Sequence, residues 1–146
     1  MNALLLRDQT LRPELFIWNG PVSREQMNEW LQQHGLEIPD ELLQFWQVTG
    51  GGELFETETI LGPFGDRQLG DDVDSVNEFH RARGMDRRYL IVHVGSALTA
   101  IRLSDKKWVI LDQDTYAEIE EYDSFEGWYE RVLRAEFAER YGLPRS

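Results

Sequence analysis

Three histidines, His34, His80 and His93, and no cysteine set the limits of metal and nucleophilic chemistry in this chain. The histidines fall on two predicted helices and a predicted strand, with no pair at the four-residue helical spacing that holds zinc. Without cysteine there are no thiol nucleophiles, thiolate metal sites or disulfides. His34 reads as the last residue of a helix, where its charge when protonated suits the helix dipole. No Gly-x-Ser-x-Gly elbow occurs, and Gly95-Ser96-Ala97 reads as a turn between strands. The triplet Gly50 to Gly52 follows a helix and precedes a strand, whereas phosphate cradles run strand, glycine loop, helix and carry a lysine. Asp71, Asp72 and Asp74, like Asp112 and Asp114, lack the twelve-residue calcium loop with its central glycine and terminal glutamate. A helix cap accounts for the first group and a solvated turn for the second. Any two carboxylates could meet in space as a glycosidase pair, and no spacing singles one pair out. The sequence therefore predicts no catalytic residue, no metal and no cofactor.

Charge is more informative. With 15 basic against 27 acidic residues the formal charge is −12, which repels nucleic-acid backbones and anionic membranes and favours a basic protein partner. Solubility alone also asks for acidity. The distribution narrows the choice: Asp112, Asp114, Glu118, Glu120, Glu121, Asp123, Glu126 and Glu130 follow one another with no lysine or arginine between them. Strand alternation predicts Glu118 and Glu120 on the side of Tyr116 and Tyr122, an anionic strip flanked by aromatic rings. Asp112, Asp114, Tyr116, Glu118, Glu120 and Tyr122 are accordingly the candidate partner-binding residues. A solvated outer strand that resists edge aggregation explains the same pattern, and both explanations stay open.

These residues need elements to position them. Ser23 and Gln26 predict a capping box, with Val22 and Met27 at staple spacing, for a helix whose face is Met27, Trp30, Leu31 and His34 and whose end is Gly35. Pro39 suits a first helical position, Asp40 and Glu41 suit the first turn, and Leu42, Phe45, Trp46 and Thr49 recur on one face, widened by Leu43 and Val48, before the glycines stop the helix. Residues 53–61 alternate as a strand, 62–70 form a loop, and Asp71 or Asp72 caps a helix with Val73, Val76, Phe79 and Arg83 on one side. Residues 89–94, 98–103, 107–111 and 116–122 read as a meander of short strands. A last helix follows, with Asp123 and Glu126 at capping-box spacing and Phe125, Trp128, Tyr129, Val132, Leu133, Phe137 and Tyr141 on its stripe. The prediction is a single α+β domain, an antiparallel sheet of about four to six strands flanked by about four helices, with residues 1–22 as an N-terminal arm and 23–141 as the core. The N-terminus has only a short apolar run, Ala3 to Leu6, so a signal peptide or membrane span is not expected and a soluble cytoplasmic protein is.

The stretch Ile38, Pro39, Asp40, Glu41, Phe45, Trp46, Gly51 and Gly52 resembles the SUKH superfamily, in the branch related to the fungal Smi and Knr cell-wall-assembly regulators. Gly50 stands where that family often has asparagine, a swap that is mild for a left-handed helix cap, since both residues tolerate it. Looser similarity continues through Leu90 to Val94, Trp108 to Leu111 and the Ser124-Phe125 helix start, so that it spans about Ser23 to Leu133. The resemblance implies a non-enzymatic binding domain. Bacterial members are regarded as immunity proteins that neutralise a cognate polymorphic toxin by direct binding, and fungal members as regulatory scaffolds. Pro39, Phe45, Trp46, Gly50, Gly51 and Gly52 carry the structural motif, and a basic toxin domain is the partner the resemblance implies.

Overall fold

The computed structural model describes residues 2–65 and 70–144. Local signals set its first helices. The Ser23 hydroxyl oxygen accepts from the Gln26 N–H and the Gln26 side chain accepts from the Ser23 N–H, each at 3.1 Å, which opens helix α2 (Arg24–His34); Gly35 closes it at φ 61°. An earlier helix, α1 (Ala3–Leu11), was not expected. Asn2 caps it by accepting from the Leu4 and Leu5 N–H groups, and it buries Leu4, Leu5 and Asp8. Leu4, Leu5, Leu15, Phe16 and Val22, all ahead of α2, are buried in the hydrophobic core.

Helix α3 (Asp40–Thr49) buries the four expected residues Leu42, Phe45, Trp46 and Thr49. Two details differ from expectation. Pro39 is the N-cap, with ψ 139°, so the helix starts on Asp40; Val48 lies off the buried arc and is 56% exposed. The Trp46 indole N–H donates to the Leu61 carbonyl at 2.8 Å and so ties α3 to the sheet. Gly50 caps the helix at φ 73°, and a Cβ there would stand 2.1 Å from the Gly20 carbonyl oxygen. Backbone crosses backbone at this point, so an asparagine at position 50, mild as a cap, would collide in this chain.

Among the described residues the sheet has seven strands in the order of the sequence, each antiparallel to the next: β1 (Phe16–Trp18), β2 (Gly52–Leu54), β3 (Glu58–Ile60), β4 (Tyr89–Val94), β5 (Leu98–Arg102), β6 (Lys107–Leu111) and β7 (Glu118–Tyr122). Seven exceeds the expected four to six for two reasons. The segment 53–61 is a hairpin, reversed at Phe55 and Glu56 with φ of 53° and 68°, and Phe16 to Trp18 pairs with β2 as an edge strand.

Register places Leu90, Ile101 and Trp108 on one face and Tyr89, Arg102 and Lys107 on the other. The first face carries the aromatic core. The Trp108 ring lies 4.9 Å from Phe125 and 5.0 Å from Trp128, and Phe125 meets Phe45 of α3 at 5.1 Å. Helix α4 (Val73–Ala82) is capped by the Asp72 carboxylate, which accepts from the Ser75 N–H at 2.8 Å. It docks on β4 through Asn77, whose amide donates to the Ile91 carbonyl at 2.9 Å and accepts from the Ile91 N–H at 2.7 Å, where the β4–β5 ladder shifts register. Phe79, expected on the packed side of α4, is 56% exposed. Of the expected loop 62–70, residues 66–69 lie outside the described region; Gly62 bridges to Asp72.

The last helix is built in three segments, α5 (Phe125–Trp128), a π-helical turn (Tyr129–Arg134) and α6 (Ala135–Tyr141). Its cap is Ser124, which accepts from the Gly127 N–H at 3.0 Å, and not the expected Asp123 and Glu126 pair. Glu126 instead accepts from the Leu4 N–H of α1 at 3.3 Å. The stripe residues Phe125, Trp128, Tyr129, Leu133 and Phe137 are buried, Val132 and Tyr141 half-buried. The π turn aims Tyr129 and Arg134 together at Asp8. The buried Asp8 carboxylate accepts two bonds from the Arg134 guanidinium, at 2.8 and 3.0 Å, and one from the Tyr129 hydroxyl at 2.7 Å. Among the described residues no helix is long and apolar enough to cross a membrane.

Candidate functional site

The acidic residues singled out by sequence lie on β7 and the turn before it, and the structure does not bring them into one strip. Opposite Ile110 stands Glu120 and opposite Leu111 stands Glu118, so Ile119 is the extra residue of a β-bulge. A bulge reverses the alternation. Glu120 therefore shares a face with Tyr122, whose hydroxyl donates to it, while Glu118 turns to the opposite face. There Glu118 accepts from Arg102 and from the Tyr89 hydroxyl, both at 2.5 Å. Ile119 is 58% exposed.

Neighbouring strands supply the cations that the acidic sequence window lacks. Arg102 of β5 lies 2.6 Å from Asp105, 2.5 Å from Glu118 and 3.6 Å from Glu121. Lys107 of β6 lies 3.1 Å from Glu121 and 3.3 Å from Asp123. Asp105, Glu118, Glu121 and Asp123 are thus ion-paired, four carboxylates sharing two cations. On the other face burial and the Glu120 carboxylate push the Tyr122 phenol up to about 12.

The remaining candidates serve the turn. The Asp112 carboxylate accepts from the Thr115 and Asp114 N–H groups, each at 2.9 Å, and these bonds hold its pKa below the usual carboxylate range. Asp114 is exposed. Tyr116, expected within the strand, lies before it at φ 60°, and its hydroxyl meets His80 Nδ1 of α4 at 2.8 Å. Between this turn, the end of α4 and the β4–β5 turn lies a cleft of about 420 Å³ lined by His80, Arg83, Gly95, Leu98, Gln113 and Asp114 among others. Burial, and then the Arg83 charge, lower the His80 pKa.

Sequence reasoning missed one polar group inside the sheet. Glu58 and His93, 1% and 0% exposed in their side chains, face each other at 2.9 Å between Glu58 Oε1 and His93 Nε2. Glu58 also accepts from the Ser96 N–H and hydroxyl and from the Thr57 hydroxyl. Burial alone would raise its pKa, but these donors outweigh it and hold the carboxyl at about 2. His93 has its pKa lowered, by burial first, with the Glu58 bond opposing. A neutral ring fits the geometry: Nε2–H donates to Glu58, while Nδ1 accepts from the Thr99 hydroxyl, whose oxygen accepts from the Trp128 indole N–H. The carboxylate sits between serine and histidine, so the imidazole has no access to the Ser96 hydroxyl, and the order required for a serine nucleophile is absent. The available signal was a histidine inside the apolar run 89–94.

Among the described residues no group of three or more His, Asp or Glu side chains is placed to hold a metal ion. Compared with known proteins, residues 21–131 match the sequence model of the SMI1 / KNR4 family (SUKH-1). No curated protein matches the chain.

Proposed function

The chain belongs to the SMI1/KNR4 (SUKH-1) family, and from that premise we propose that it is a protein-binding domain without bond chemistry of its own, specifically an immunity protein that neutralises a cognate toxin in the cytoplasm. The observation that supports this reading is the β7 edge. β7 ends the sheet, all but half-buried Tyr122 of its residues are exposed, and the bulge throws Ile119 outward beside Glu120. An apolar anchor next to an anionic residue and a tyrosine suits a basic protein surface with an apolar centre. The carboxylates compensated by Arg102 and Lys107 contribute less. Ile119, Glu120, Tyr122 and the exposed Asp114 are the centre of the proposed contact.

Co-expression with a toxin domain encoded beside the gene tests this. Growth is expected to recover, and the two proteins to co-purify. Growth arrest that persists with soluble protein present, and no co-purified complex, overturns the reading. Capture of several partners at modest affinity, without rescue, fits a regulatory scaffold instead.

A further inference from the structure

The chain's basic residues are not spread evenly. Residues 81–88 hold Arg81, Arg83, Arg87 and Arg88 against one acid, Asp86. They run from the last turn of α4 into the connection to β4, where the Gly84 N–H donates to the Arg81 carbonyl and the Met85 N–H to the His80 carbonyl, both at 3.1 Å. Arg83, Arg87 and Arg88 are exposed. Arg81 is half-buried, donates to the Tyr89 carbonyl at 3.2 Å, and has its Nε buried with no partner among the described residues. Burial and then the Arg87 charge lower the Arg81 pKa, with Asp74 opposing, so the turn holds cations close together at a cost. Complementing the α4 dipole explains Arg81 and not Arg87 or Arg88, which lie beyond the helix. Asp74 and Glu78 stand on the preceding turns of α4.

An exposed aromatic ring completes the surface. Phe79 is 56% exposed, with the Arg83 guanidinium 5.4 Å from its ring centre and His80 edge-on at 5.1 Å. The Arg83 guanidinium beside an open ring offers forked donors for a carboxylate next to an apolar contact, while Arg88 lies 5.2 Å from the Tyr89 ring centre and 3.8 Å from Asp86.

We propose that this arginine turn with Phe79 is a docking surface for a short acidic polypeptide segment carrying an apolar residue. Charge complementarity argues for an anion, and the rest of the molecule argues for a short one. A nucleic acid would extend from the patch over a surface that is otherwise strongly anionic, whereas a segment of a few residues stays within it. The site adjoins the turn before β7, since Arg83 and Asp114 line one cleft, but it is opposite in sign and does not depend on the toxin-binding reading.

The experiment is a titration of the full chain, labelled for NMR at arginine side chains and phenylalanine rings, at low and physiological salt. The probes are an eight-residue Glu/Asp peptide with a central leucine, its lysine counterpart and an eight-nucleotide oligothymidylate. The acidic peptide is expected to shift the Arg83, Arg87 and Arg88 Nε–H and the Phe79 ring signals saturably, more weakly as salt rises, and the lysine peptide to leave them unmoved. R87E/R88E, both exposed and outside the core, is expected to lose the response with an unchanged melting temperature; F79S is expected to weaken it. No saturable shift at low salt overturns the proposal. So does equal or tighter binding of the oligothymidylate, or concentration-dependent shifts of the same signals without probe, which would assign the surface to a second copy of the chain.

Discussion

Glu58 is a carboxylate held charged inside the sheet by hydrogen bonds, and this makes its energetic effect depend on pH. Its folded pKa of about 2 lies below the ordinary 4.5, so its contribution is fully present above pH 4.5 and is lost as pH falls from there towards 2. The shift corresponds to about 3 kcal/mol. E58Q is expected to lower stability at neutral pH by about 1–3 kcal/mol and to flatten the acid limb. Urea unfolding of both proteins between pH 2.5 and 7 measures it, and an acid limb as steep in the mutant as in the wild type refutes the assignment. Little in the sequence pointed to this residue. Glu58 sits in an alternating segment where a wet face was expected, and only its register opposite β4 turns it inward against His93.

Elements defined by their own residues were legible, and those defined by distant partners were not. Ser23, Gln26, Gly35, Leu42, Phe45, Trp46 and Gly50 act within a few positions of themselves, so α2 and α3 were read nearly to the residue. By contrast α1 is weakly amphipathic, and its place is set by Asp8 meeting a residue 126 positions away. The bulge at Ile119 depends on pairing with β6, which is why a pattern of period two misplaced Glu118. Helix α4 was legible from its Asp72 cap, but its packed side was not: Phe79 is exposed, and Asn77 is buried against β4. N77A leaves the buried Ile91 N–H and C=O without partners and is expected to cost about 1–3 kcal/mol. The loss should show as a lowered melting temperature and faster hydrogen exchange along α4, and exchange there as slow as in the wild type would contradict it.

For the whole molecule, a charge of −12 sets long-range attraction to a basic partner, while the ion pairs of Arg102 and Lys107 decide which carboxylates act locally. E120K is therefore expected to slow association with the proposed basic partner more than E118K does in its folded fraction. The difference should be largest at low salt, because exposed charges are screened beyond roughly 10 Å at 0.1 M. Stopped-flow association at two ionic strengths checks the order, and a larger effect from E118K would reverse the assignment of faces.

The Asp8–Arg134 contact joins two segments that both lie outside the matched residues 21–131. The pairings β2–β3, β4–β5, β5–β6 and β6–β7 close over short turns, whereas the Asp8–Arg134 bridge spans 126 positions and is expected to form late. Bonds made after the folding barrier act on lifetime and leave speed untouched. D8A strands a buried guanidinium and is expected to cost about 3–5 kcal/mol, with the refolding rate in stopped-flow nearly unchanged and unfolding faster by about 100-fold or more. A refolding rate that falls in proportion would place the bridge in the nucleus. In kinetic terms the segments that carry Asp8 and Arg134 are expected to form a latch that governs how long the native state persists once the meander has assembled.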